Sequence, residues 1–228
     1  ASGEVRVIDF RSVAPRAATP AMFVDNRGKE RAVASYGYLA PAVPGTVAGF
    51  DYAHRKWGKL SWDKIVAPAI ALAADGVRLS ADEAFVFSWG KERLSKSAAG
   101  KAAFYKPDGS LYQKDEVMKR PDLAWTLGEI AQHGADGFYK GEVARRIAAD
   151  MRAHGGLITL DDLAAYRPQE RAPLVGSYRG YTIYTAPPSS AGGATLLNIL
   201  NQLEHFDIKA MGANSAASLH VMAEAMKL

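Results

Sequence analysis

The chain has 228 residues, of which 48% are hydrophobic and 23% charged. That is enough for one sizeable globular domain or part of a larger one, and too apolar for a disordered chain. The net charge is +4, and the basic residues read as scattered along the chain, so no window suggests a nucleic-acid patch or a membrane-surface helix. There is no cysteine, which excludes disulfides, thiolate catalysis and thiolate metal ligands within these residues, and no run approaches the roughly 18 apolar residues of a membrane span.

The chain opens on Ala1-Ser2-Gly3-Glu4 without an initiator Met or a leader, and it stops at Ala223-Glu224-Ala225-Met226-Lys227-Leu228 inside a helical pattern with no capping Gly. Both ends read as cut, the expectation for a piece of a longer protein. A first strand is predicted over Val5–Phe10 from its β-branched, loosely alternating residues. Pro41 to Pro44 break the chain, and Pro44-Gly45 opens a helix to about Trp57, with Gly58 placed to end it. Ser61 is expected to cap a second helix to about Ala74, with the apolar Ile65, Ala69, Leu72 and Ala73 on one face and Pro68 as a point of interruption. Ser80-Ala81-Asp82-Glu83 has the spacing of a capping box and starts a third helix.

Pro107-Asp108-Gly109 predicts a turn between two short extended pieces. Helices follow over about Asp122–His133, ended by Gly134, and about Gly141–His154, ended by Gly155-Gly156. Thr159-Leu160-Asp161-Asp162 caps a short one. Leu174–Tyr178 and Tyr181–Tyr184 form a hairpin turning at Arg179-Gly180. The last helices span about Ala191–Phe206 and Ser215–Leu228. With helices dominant and turn residues evenly spread, the reading is an α/β (α+β) fragment within a single partial domain, residues 1–228.

Few residues suggest chemistry. Arg11 stands at the end of the first strand, where a guanidinium can hold a carboxylate through two parallel hydrogen bonds or can simply be an exposed charge. Pro187-Pro188-Ser189-Ser190-Ala191-Gly192-Gly193 is either an anion nest at a helix start or, as the capping logic favours, a structural turn with serine caps and tightly packed glycines. Ser61-Trp62-Asp63-Lys64 and Ser88-Trp89-Gly90-Lys91 match a Ser-x-x-Lys pattern without the companion motifs it needs, and Ser61 is better read as a cap. His54, His133, His154, His205 and His220 have no metal-ligand spacing, and no metal or other cofactor is implied. Asp161-Asp162 suit a helix start, and Tyr178, Tyr181 and Tyr184 suit cross-strand packing.

One set of motifs runs through the chain in order: Asp9-Phe10-Arg11 with Ala14-Pro15, Met22-Phe23, Pro44-Gly45-Thr46-Val47-Ala48-Gly49-Phe50, Pro68-Ala69, Gly137-Phe138-Tyr139-Lys140-Gly141, Gly155-Gly156-Leu157-Ile158-Thr159, Asp162-Leu163-Ala164-Ala165-Tyr166, Tyr178-Arg179-Gly180-Tyr181, the Pro187–Gly193 turn, and Met222-Ala223-Glu224-Ala225. This colinear set resembles the large subunit of the gamma-glutamyltranspeptidase family. Ala191, where relatives often carry Gly, is a mild departure.

The resemblance implies a fragment of the four-layer αββα N-terminal-nucleophile hydrolase fold. It also implies a zymogen that cuts itself into a heterodimer. The new N-terminal Thr of the small subunit then serves as nucleophile and, through its amine, as base. That enzyme takes the gamma-glutamyl group from glutathione as an acyl-enzyme and passes it to water or an amino acid. The resemblance gives Arg11 the α-carboxylate of the gamma-glutamyl group, places the oxyanion serines in the small subunit and leaves no catalytic residue in this chain. It implies a periplasmic or secreted enzyme with no nucleic-acid partner. The small subunit is the expected partner. Glycine-rich helices and a pairing strand would lie upstream, and the rest of the large subunit downstream. The chain alone is then expected to be inactive, with an exposed sheet edge and apolar faces that leave it poorly stable, oligomeric or bound to a complementary chain. Two other readings stay open: a cephalosporin acylase or poly-gamma-glutamate depolymerase relative, and a non-catalytic domain. Arg11 favours an amino-acid-like acyl donor over the acylase, since the guanidinium needs a carboxylate partner.

Overall fold

A computed structural model describes residues 3–227. Strand β1 (Val7–Asp9) is shorter than the predicted run. The chain then builds one compact unit over Arg11–Arg167, and the residues through Phe10 join those from Pro168 onward in a second.

In the Arg11–Arg167 unit, helix α1 (Thr46–Trp57) starts just past Pro44-Gly45 and stops at Gly58, as the glycine and proline signals predict. Helix α2 (Trp62–Asp75) runs through Pro68 as one element. Ser61 occupies its N-cap without bonding a backbone N–H; its hydroxyl turns to the Asp63 carboxylate and holds it below the usual range. Strand β2 (Val77–Arg78) leads to α3 (Ala81–Leu94), whose predicted capping box is formed by Ser80 and Glu83. That strand escaped prediction, as did α4 (Ala98–Phe104), capped by the Ser97 hydroxyl, and β3 (Val117–Met118), which pairs antiparallel with β2. Between them the Pro107-Asp108-Gly109 turn closes through the Lys106 N–H on the Ser110 carbonyl at 2.8 Å.

Helices α5 (Pro121–His133), α6 (Ala135–Tyr139), α7 (Glu142–Ala153) and α8 (Leu160–Ala165) complete the unit. Only the short α6 was absent from the prediction.

Helices α2 and α5 pack side by side, joined by the Trp62 indole N–H donating to the Ile130 carbonyl at 2.8 Å. This contact decides which face of α2 is inside. Val66 and Ala73 are buried, whereas Ile65 and Leu72 are exposed. Of the four apolar positions that spacing puts on one face, only Ala73 is buried: α2 carries two apolar stripes at helical spacing, and only a partner helix could choose between them. The main core lies elsewhere, where Val43, Ala48, Tyr139, Ala144, Ile158, Leu163 and Tyr166 gather α1, α6, α7 and α8.

In the other unit, β1 pairs antiparallel with β4 (Gln169–Arg171), Ile8 opposite Glu170, and the Arg171 Nε–H donates to Asp9 at 2.8 Å. Strands β5 (Leu174–Tyr178) and β6 (Tyr181–Thr185) form the predicted hairpin. Arg179 and Gly180 both take positive φ, +49° and +81°, the geometry a two-residue turn needs to match strand twist. Helix α9 (Ala191–Leu203) lies on this hairpin, followed by α10 (Ile208–Met211) and α11 (Ala216–Ala225), which packs on α9. Among the described residues no helix is long and apolar enough to cross a membrane.

Candidate functional site

Arg11 is the first residue of its unit, with an exposed side chain on a segment whose backbone is tied down. The Tyr166 hydroxyl donates to the Arg11 carbonyl at 2.9 Å. Two residues on, Val13 and Val43 exchange backbone hydrogen bonds at 3.2 and 2.8 Å. Further along, the Arg16 N–H donates to Asp162 Oδ1 at 3.1 Å. Residues 11–16 are thus held to the end of α8, the entry to α1 and the start of α8.

Each anchor is fixed in turn. Tyr166 is 5% exposed and stacks on Tyr139, with ring centroids 5.7 Å apart and planes 8° from parallel. The Tyr139 hydroxyl donates to the Pro44 carbonyl at 2.7 Å and accepts the Ala48 N–H at 3.3 Å, so it closes the first turn of α1. Burial pushes its pKa up to about 12. Asp162, 7% exposed, takes the Thr159 N–H at 3.0 Å and the Thr159 hydroxyl at 2.7 Å on its other oxygen. Burial works against its charge, but the donors from Arg16 and Thr159 win and hold the carboxyl below its usual value. A charged acceptor with several donors is the strong form of a hydrogen bond.

This arrangement presents the Arg11 side chain on a rigid backbone. It can bind and orient an anion through a bidentate pair.

The other candidates resolve as structure. At the Pro187–Gly193 turn, Ser190 sits at the N-cap of α9 without bonding a backbone N–H, so the expected serine cap is not made. The glycine packing is made: a Cβ on Gly193 would fall far inside contact distance of the Ala186 carbonyl. Ser88 lies on the exposed side of α3. The His54 ring meets the Leu60 carbonyl at 2.7 Å and tilts against Trp62. No group of three or more His, Asp or Glu that could hold a metal ion occurs among the described residues. Tyr178 faces Tyr181 across the hairpin, the pairing expected of them.

The sequence reading missed the anchors. Asp162 was recognised only as an acid at a helix start, and nothing local signals that one of its oxygens reaches Arg16. Tyr139 and Tyr166 lie in quoted motifs, but their partnership with residues 11–48 is a long-range fact.

The fold is that of part of an N-terminal-nucleophile hydrolase, mixed helix and strand. The chain belongs to the gamma-glutamyltranspeptidase family, whose profile it matches over residues 1–228. It is 44% identical over 230 residues to the glutathione hydrolase proenzyme of Escherichia coli, a match covering 99% of this chain and 39% of that protein. It is 36% identical to the acylase ACY 1 proenzyme of a Pseudomonas species, across 100% of this chain and 42% of that one. It superposes on the Helicobacter pylori gamma-glutamyltranspeptidase with a TM-score of 0.96 at 42% identity, covering all of this chain and 65% of the other. The chain therefore spans about 40% of the length of the curated relatives it matches.

Proposed function

We infer that this chain is the central part of the large subunit of an enzyme that cleaves gamma-glutamyl bonds, glutathione being the donor. The observation that carries this reading is Arg11, an exposed guanidinium on a backbone pinned by Tyr166, Val43 and Asp162. It clamps the α-carboxylate of the gamma-glutamyl group. A threonine hydroxyl from a small subunit of the same self-cleaved precursor attacks the γ-carbonyl, and its own amine takes the proton. The amide nitrogen leaves with that proton, and water or an amino acid then resolves the ester. The mature protein is a heterodimer in the periplasm or outside the cell, and this chain alone turns nothing over.

The likeness to an acylase proenzyme supports a second reading, in which the acyl donor differs. Arg11 separates the two, since a donor without an α-carboxylate gives the guanidinium nothing to hold. The test is co-expression with the downstream part of the precursor and assay on glutathione, for wild type and Arg11→Ala. Loss of a charge-assisted contact of about 1.5–3 kcal/mol should raise the donor KM roughly tenfold to a hundredfold while changing kcat less. An unchanged KM would refute the assignment.

A further inference from the structure

The charge on this chain is less evenly spread than a first reading along the sequence indicates. Eight of its 28 Lys and Arg, but only four of its 24 Asp and Glu, fall within residues 91–120, an excess equal to the whole net charge of +4. The fold wraps this segment around an open groove of about 880 Å³, lined among others by Lys101, Tyr105, Lys106, Tyr112 and Lys119.

Three of the four acids of the segment are already engaged, Glu92 being the fourth. Glu116 pairs with Lys106 at 2.7 Å and accepts the Gln113 N–H at 2.8 Å. Asp108 takes the Ser110 N–H and hydroxyl at 2.9 and 2.6 Å. Asp115 lies 3.9 Å from Lys114. Lys101 and Lys119, by contrast, have no carboxylate within ion-pair distance among the described residues. Both project from fixed backbone. The Lys101 N–H closes on Ser97 at 3.0 Å, and next to Lys119 the Arg120 N–H closes on Ala73 at 2.8 Å. Tyr105 is held by its hydroxyl on the Lys91 carbonyl at 2.9 Å.

We propose that this groove is a binding site for an acidic peptide. Lysine ammoniums are point charges without a directional fork, so they suit carboxylates arriving in varied orientations along a chain rather than one tightly oriented anion. The groove is several times larger than a single carboxylate needs. The rings of Tyr105 and Tyr112 give the aliphatic stems of glutamate side chains a surface to lie on. Lys91, Lys96 and Lys114 belong to the same segment and add to its positive field. The site does not depend on Arg11 or on the gamma-glutamyl reading.

The experiment is equilibrium binding of a fluorescently labelled hexaglutamate peptide to the assembled protein, at an ionic strength of about 10 mM, where charges are felt over about 30 Å. The double variant Lys101→Glu/Lys119→Glu should weaken binding about tenfold or more, the worth of two exposed ion pairs. Lys59→Glu/Lys209→Glu makes the same change in net charge elsewhere and should leave the affinity within about twofold of wild type. A hexaglutamine peptide should not bind. Equal weakening by the two double variants, equal binding of the glutamine peptide, or no hexaglutamate binding at low salt overturns the proposal. Binding of tripolyphosphate in the groove without binding of hexaglutamate also overturns it, in favour of a phosphate site. Retained circular dichroism and melting temperature in both variants establish that the readout is binding and not unfolding.

Discussion

The Tyr166 hydroxyl lies 2.9 Å from the Arg11 carbonyl across 155 residues of sequence, and the Tyr166 ring is itself clamped against Tyr139. The side chain proposed to hold substrate is thus positioned through its own main chain by a buried phenol. Tyr166→Phe keeps the ring stack and removes only the donor. It should destabilise the protein by about 1–3 kcal/mol in urea unfolding and raise the donor KM of the assembled enzyme more than it lowers kcat. A variant with wild-type stability and wild-type KM would show that the contact positions nothing.

Asp162 serves three donors with two carboxylate oxygens. Asp162→Asn leaves one oxygen to accept and turns an NH₂ group toward a backbone or hydroxyl donor, which should cost about 1–3 kcal/mol. The carboxyl's folded pKa is lowered below 3.8. Its contribution is therefore complete above the unfolded pKa and is lost as pH falls through the folded one. The stability gap between wild type and Asp162→Asn should be constant near neutrality and should narrow below about pH 4. A gap that stays constant into acid would contradict this.

Tyr139 gives the opposite sign. Its folded pKa is about 12 against an ordinary 10.0, so its neutral form is favoured in the fold. That contribution is full below the unfolded value and is lost as pH rises through the folded one. Between about pH 10 and 12 the protein should lose roughly 2–3 kcal/mol on this account. Difference absorbance should show one tyrosine ionising well after the exposed ones. Tyr139→Phe should flatten the alkaline loss, at the cost of an unmade bond to Pro44.

Gly193→Ala places a methyl group against the Ala186 carbonyl, which is backbone and cannot rotate away. The turn between β6 and α9 must open, and about 1–3 kcal/mol of stability should go with it. The same substitution at Gly192, where an added Cβ meets only the Ser190 hydroxyl at ordinary contact distance, should be tolerated. A calorimetric melt of both variants decides between these outcomes, and equal melting temperatures would count against the packing role of Gly193.

What the sequence revealed was what neighbours decide. The capping box at Ser80/Glu83, the cap at Thr159, the Arg179-Gly180 hairpin, and the glycine stops after Trp57 and His133 are each set within a few residues, and each formed as predicted. The failures share a different cause. Ile65 and Leu72 share an apolar face by spacing yet are exposed, because nothing in α2 itself tells which apolar stripe α5 will cover. Ser61 and Ser190 have the right residue type for caps, yet bond no backbone N–H there. Helix α4 was overlooked because Gly100 interrupts its alanines, and α6 because Gly134, Gly137 and Gly141 read as loop; a Cβ on Gly137 would run into the Glu129 carbonyl. Arg11 was legible as a candidate. The apparatus that fixes it was not, since Asp162 and Tyr166 lie 146 and 155 positions from the residues they grip.

That spacing also carries a consequence for biosynthesis. As the polypeptide leaves the ribosome, residues 11–16 emerge before Val43, their near anchor, but Asp162 and Tyr166 follow only after nearly all of the intervening helices have been made. The loop-closure entropy of so wide a span has to be met before any reward is collected. The segment bearing Arg11 therefore takes its final shape among the last events of folding, and a nascent chain halted before Asp162 would hold it by Val43 alone.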